Sequence, residues 1–175
     1  MKGNIFLIGF MGCGKSTVAS ELQKRYGMEV VEMDQLLSER QGMSIPDIFE
    51  TYGETYFRDL ESALVAEIRK MENQVVSCGG GVVLREQNVA KMKENGQIVL
   101  LTANPETILE RVKDVENRPV LKGKKTVEGI TELMEARREK YEAAADIVIH
   151  TDKKPVSEIC EELKQKLEER ERQHV

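Results

Sequence analysis

The stretch Gly9-Phe10-Met11-Gly12-Cys13-Gly14-Lys15-Ser16-Thr17 limits what this chain can fold into more than any other. An apolar run, Ile5-Phe6-Leu7-Ile8, precedes it, and a helical pattern, Val18-Ala19-Ser20-Glu21-Leu22, follows. Strand, glycine-rich turn and helix form the context in which G-x-x-x-x-G-K-[ST] reads as a phosphate site. The glycines let the backbone curl until its N–H groups converge on one point, a concavity suited to an anion. The helix N-terminus adds roughly half a positive charge at that point. Lys15 can reach the terminal phosphates and the Ser16 hydroxyl can ligate magnesium, with Gly12, Cys13, Gly14 and Thr17 as the remaining nucleotide contacts. A nucleoside triphosphate is the expected ligand.

A chain that starts this way commits to an α/β fold, and the rest of the sequence agrees. Glu29-Val30-Val31-Glu32-Met33, Gln74–Cys78, Gln97–Leu101 and Asp146–Ile149 are further strand candidates, separated by helical patterns. Gln97–Leu101 is almost continuously apolar, as a strand covered on both faces should be. Gly27 is placed to stop the first helix, Asp34 to cap the second, and Ser44-Ile45-Pro46-Asp47 to open a third. Gly53-Glu54 breaks that helix, and Phe57, Leu60, Leu64 and Ile68 then recur at helical spacing. Asn104-Pro105 and Pro155 open later helices, the last with Ile159, Leu163 and Leu167 on one face. Alternating strands and helices imply a parallel sheet between helices, with ligands gathered at the carboxyl ends of the strands. The segment from Asp114 to Lys125 lacks apolar periodicity and reads as a mobile loop.

Composition narrows the function. The 175 residues suit one domain, 1–175, and no apolar run approaches the ~20 residues of a membrane span. A net charge of −5 argues against a general nucleic-acid binder. The three cysteines are scattered and there are only two histidines, which disfavours zinc sites and a disulfide framework. The N-terminus lacks a signal-peptide layout, so a cytoplasmic protein is expected.

The acceptor of the phosphoryl group is less constrained. A motor ATPase, a nucleotide kinase and a small-molecule kinase share the first motif. Glu32 and Asp34 could both face the γ-phosphate from the end of the second strand, or be no more than solvated acids. Arg58 and Glu61 share a helix face near Phe49 and Phe57, an arrangement that suits an anionic polyol but equally an intrahelical salt bridge. Gly79-Gly80-Gly81 after a strand makes sense where backbone must approach a ligand closely. Ser77 and Cys78 stand where many triphosphate-binding proteins carry an acid for magnesium, which disfavours a mechanical ATPase. Arg118, in the loop, could stabilise charge on a transferring phosphoryl group. Arg137 and Tyr141, four apart, share a helix face.

Together these features resemble the shikimate kinases, in the nucleoside-monophosphate-kinase-like group of phosphate-loop proteins. The likeness rests on Gly9–Thr17, the acid pair ending in Asp34, Gly42-Met43-Ser44-Ile45 through Glu50, and Gly53-Glu54 with Phe57-Arg58 and Glu61. It continues through Gly79–Gly81, Arg118-Pro119 with Leu121, and Arg137 with Tyr141, and so spans nearly the whole chain. The resemblance implies a three-layer sandwich with a five-stranded parallel sheet of order 2-3-1-4-5, a substrate-binding segment at about 34–61 and a lid at about 112–125. It implies transfer of the ATP γ-phosphate to the 3-hydroxyl of shikimate by a monomer. Asp34, Arg58, Glu61, Gly79–Gly81 and Arg137 would bind shikimate, with Asp34 orienting the reacting hydroxyl and the two arginines clamping the carboxylate. Lys15 and Arg118 would neutralise the transferring group, Arg111 would stack on the adenine with the segment Thr151–Pro155 closing its other side, and Ser16 with Glu32 through water would hold Mg2+. Many members carry aspartate where this chain has Glu32, which leaves that contact longer by one methylene. A gluconate-type kinase of the same fold and a nucleotide-dependent regulatory protein without turnover are the competing readings.

Overall fold

In the computed structural model, residues 3–113, 121 and 123–174 are described. Five strands, β1 (Asn4–Ile8), β2 (Glu29–Glu32), β3 (Gln74–Ser77), β4 (Gly96–Thr102) and β5 (Ile147–His150), form one parallel sheet in the order β2-β3-β1-β4-β5. This is the expected order. The central strands β1 and β3 are buried at every position, whereas edge strand β5 alternates, with Ile147 and Ile149 inside and Val148 and His150 outside. Leu7 pairs with Ser77, and Glu32 pairs with the same Ser77. The carboxyl ends of three strands are thereby level, and the segments that follow them emerge side by side.

The helices are α1 (Lys15–Tyr26), α2 (Met33–Gln41), α3 (Ile45–Tyr52), α4 (Glu54–Ile68), α5 (Glu86–Glu94), α6 (Pro105–Val112), α7 (Val127–Ala144) and α8 (Val156–Gln173). Gly27 ends α1 in a left-handed conformation, its N–H bonded to the Gln23 carbonyl, as the sequence predicts. The Ser44 hydroxyl accepts from the Asp47 amide and caps α3. Helices α1 and α8 pack together on the sheet, and α4, α5 and α7 meet around a short 3₁₀ turn, Val82–Leu84. That turn follows Gly79–Gly81 and is not anticipated from the sequence.

Two expectations need correction. Asp34 is not the cap of α2: Met33 already opens the helix, Glu32 holds the cap position, and Asp34 lies in the first turn. Met33 is fully buried, and anchoring it in the core ends β2 a residue early. Glu32 and Asp34 therefore share a cavity across a strand–helix turn and not along one strand. Asn104 precedes α6 as expected, but its side chain makes no capping bond. Instead its backbone N–H donates to Asp152 Oδ1 at 2.9 Å. Arg118 and most of the segment 114–122 lie outside the described residues.

Candidate active site

The loop between β1 and α1 is built on left-handed glycines, with φ of 143° at Gly9, 78° at Gly12 and 99° at Gly14. A Cβ on Gly9 would run into the Leu101 carbonyl and come within 2.7 Å of Cys13 Sγ, so the loop is seated directly on β4. No acid occupies the first turn of α1, which leaves its positive end for a ligand. Lys15 Nζ donates to the Gly9 carbonyl at 2.6 Å and reaches the Phe10 carbonyl at 3.5 Å. Ser16 Oγ donates to Glu32 Oε2 at 3.1 Å, joining the loop to the end of β2.

Loop and acceptor side face one cavity of about 620 Å³. Gly12, Gly14, Lys15, Ser16 and Thr17 line it from the loop, and Glu32, Asp34, Arg58, Glu61, Gly80, Gly81 and Arg137 line it opposite. Phe49 and Phe57, with ring centroids 5.0 Å apart, contribute the apolar wall, and Met11, Gln35, Ile45 and Glu54, none of them given a site role from the sequence, also line the cavity. Cys13 is buried behind the loop against a second, apolar cavity. Gly79, Arg111 and Pro155 are not among the residues lining the main cavity.

Around Gly79–Gly81 the reason for three glycines is geometric. A Cβ on Gly79 would lie 2.7 Å from both Asp34 Oδ1 and Glu61 Oε2. A Cβ on Gly80 would be 3.0 Å from Arg137 Nη1, and one on Gly81 would overlap the Arg58 guanidinium. The backbone thus leaves space that two acids and two arginines fill. Tyr141 adds a bond, its hydroxyl donating to the Gly80 carbonyl at 2.6 Å.

The two arginines differ electrostatically. Arg58 Nη1 donates to Glu61 Oε1 at 2.7 Å, and Nε and Nη2 lie 3.4 and 3.3 Å from Glu54 Oε1. Its guanidinium carbon lies 5.5 Å from the Phe57 ring centroid and 5.9 Å from that of Phe49. Burial acts to lower the Arg58 pKa, but Glu61 and Glu54 outweigh it and hold the group above its ordinary value. Glu61 is raised, chiefly by burial and secondarily by Asp34, against the pull of Arg58 and Arg137. Its Oε2 has no hydrogen-bond partner among the described residues. Arg137 has no salt bridge among the described residues, whereas its neighbour Arg138 points away and pairs with Glu135 and Glu142. Arg58 forms the intrahelical salt bridge and also lines the cavity, so the two placements set against each other at the level of sequence are compatible.

The Ser16 hydroxyl and Glu32 carboxylate form an all-oxygen pair beside the phosphate loop, which fits a hard cation such as magnesium. No group of three or more His, Cys, Asp or Glu able to hold a metal occurs among the described residues, so phosphate oxygens and water would complete the shell. On the far side of the loop, Arg111 Nη1 donates to the Gly12 carbonyl at 2.8 Å and Thr151 Oγ1 lies 3.2 Å from the Cys13 carbonyl. No helix of the described residues is long and apolar enough to cross a membrane.

The sequence family described as Shikimate kinase matches residues 11–168. A shikimate kinase from Sulfurihydrogenibium sp. is 44% identical over 167 residues, covering 95% of this chain and 99% of that protein. Among solved structures, shikimate kinase from Acinetobacter baumannii in complex with shikimate superposes with a TM-score of 0.90 at 29% identity, covering 96% of this chain and 94% of that one. A gluconokinase from Sinorhizobium meliloti reaches a TM-score of 0.58 at 18% identity over 95% and 92% of the two chains, a likeness of fold alone.

Proposed function

The chain belongs to the shikimate kinase family, and from that premise we propose that it transfers the γ-phosphate of ATP to the 3-hydroxyl of shikimate. The observation that carries this reading is Arg137: a guanidinium with no salt-bridge partner among the described residues, set against Gly80 beside Arg58 and Asp34, in the cavity that Lys15 and Ser16 enter from the other side. A carboxylate bearing several hydroxyls complements two arginines and an acid. A guanidinium offers the planar fork that a carboxylate binds in bidentate fashion.

In this reading Arg58 and Arg137 hold the substrate carboxylate, and the Gly79–Gly81 backbone and Glu61 shape the floor beneath the ring. The Asp34 carboxylate accepts a hydrogen bond from the reacting hydroxyl and takes its proton as the oxygen attacks the γ-phosphorus. The new O–P bond forms as the bond to the β–γ bridging oxygen breaks, leaving ADP. Lys15 and Arg118 compensate the charge spread over the transferring oxygens. Gly12, Cys13, Gly14 and Thr17 cradle the phosphates, Arg111 and Pro155 flank the base, and Ser16 and Glu32 would hold magnesium. Magnesium would supply charge compensation on the β- and γ-phosphates. A lid at about 112–125, as the family resemblance implies, would exclude water, which otherwise competes as acceptor.

A coupled ADP-release assay with shikimate, quinate and gluconate tests the proposal. ADP release that depends on shikimate is expected, and its absence at millimolar shikimate rejects the reading. Preference for gluconate would favour the fold-mate, and ATP binding without turnover a regulatory protein. The three free cysteines are all buried, in keeping with a cytoplasmic protein. The large apolar side chains exposed among the described residues are only Tyr52, Tyr56, Met71 and Val148, in keeping with a monomer.

A further inference from the structure

We infer that Thr151 is a positioning residue for the phosphate loop, acting through the Cys13 carbonyl; the inference rests on the ATP-binding reading above. Thr151 follows β5 directly and is 2% exposed. Its hydroxyl oxygen lies 3.2 Å from the Cys13 carbonyl and 3.2 Å from the Thr102 carbonyl, and it accepts from Arg111 Nη1 at 3.3 Å. A hydroxyl has one proton to give. The two carbonyls lie equally close to that proton; the Thr102 carbonyl already receives the Thr151 backbone N–H at 2.8 Å, so the hydroxyl's proton counts for more at the Cys13 carbonyl.

The consequence follows from peptide geometry. In a trans peptide the C=O and the next N–H point in opposite directions, and no cis bond occurs among the described residues. Drawing the Cys13 carbonyl outward to Thr151 therefore turns the Gly14 N–H inward, and Gly14 lines the cavity. The anchor is itself fixed. Asp152 Oδ1 accepts from the Asn104 N–H at 2.9 Å and the Thr107 hydroxyl at 2.7 Å. Burial acts to raise the Asp152 pKa, but those two donors, its own backbone N–H and the charge of Arg111 together outweigh it and hold the carboxyl below its ordinary value. The segment after β5 is thus stapled to α6, and through Thr151 it sets the orientation of a donor in the phosphate cradle.

Calorimetric titration with ATP and magnesium, with inorganic tripolyphosphate, and separately with shikimate tests this on wild type, Thr151→Val and Thr151→Ser. Valine keeps the shape and removes the donor. Thr151→Val is expected to weaken ATP and tripolyphosphate alike by roughly five- to tenfold, the usual scale of one buried hydrogen bond. Shikimate affinity should not change, and Thr151→Ser should restore ATP binding to within about twofold. ATP binding by Thr151→Val within twofold of wild type overturns the inference. So does failure of serine to rescue, equal loss of shikimate, or loss of ATP without loss of tripolyphosphate, which would place the effect on the adenosine side. If Thr151→Val does not fold, Thr151→Cys, with a weak donor in place of the hydroxyl, carries the same expectation. Because binding is read without turnover, absence of shikimate-dependent activity in the wild type would reject the kinase reading and leave this one standing.

Discussion

Arg58 and Glu61, one turn apart on α4, form a 2.7 Å ion pair in which the carboxylate partner is 1% exposed. Arg58 stands against Gly81 and Glu61 against Gly79, so a single contact serves both the packing of α4 and the cationic wall of the cavity.

The first prediction concerns pH. Burial raises Glu61, so the folded chain retains its proton where the unfolded chain has released it. Stability in the absence of ligand should therefore fall as pH rises out of the ordinary carboxylate range and level off above the folded value of Glu61. Urea titrations from pH 4 to 8 should show that slope, and Glu61→Gln should flatten it. An unchanged slope in the variant would assign it to other groups.

The two arginines should separate in a stability measurement. Arg58→Ala leaves Glu61 buried without its main partner and should cost on the order of 3 kcal/mol of stability. The same change should weaken shikimate by ~2–5 kcal/mol while sparing ATP. Arg137→Ala should weaken shikimate comparably and leave the melting temperature nearly unaltered, since no salt bridge to it is broken among the described residues. Equal loss of stability in both variants would contradict the contrast.

Gly79→Ala places a methyl group against both Asp34 Oδ1 and Glu61 Oε2. The carboxylates must shift by several tenths of an ångström, and shikimate affinity should fall at least tenfold, a loss of about 1.4 kcal/mol. ATP affinity should hold. Wild-type shikimate binding in this variant would show that the acids reposition without consequence.

Asp34→Asn keeps the shape and removes the proton acceptor. Turnover should drop by roughly 10²–10⁴-fold with ATP affinity retained, the range for loss of a general base. A turnover number within a few-fold of wild type would demote Asp34 to a substrate-binding role.

The fold was legible because its signals are local. Glycines at Gly9–Gly14, the stop at Gly27 and the cap at Ser44 each act within a few residues of themselves, and the apolar run of β4 announces burial on both faces. Errors arose where tertiary packing overrides a local preference. Asp34 has the chemistry of a cap, but burial of Met33 starts the helix earlier. Asn104 holds the cap position of α6 without a side-chain capping bond, and its backbone N–H is held by Asp152, 48 residues away. Spacing marked Asp34, Arg58, Glu61 and Arg137 but left each open between a site and a structural role; it is the cavity that brings them together. Supporting contacts such as Tyr141 to Gly80 and Thr151 to Cys13 span 61 and 138 residues, and nothing local records them. Glu54 was within reach, since its four-residue spacing to Arg58 is a helical ion-pair signal.

Lys15, folded onto the Gly9 and Phe10 carbonyls, gives the loop a resting state with its own internal ligands. In the proposed reaction an arriving phosphate would take the Lys15 ammonium over from those carbonyls, and they would take it back as ADP leaves.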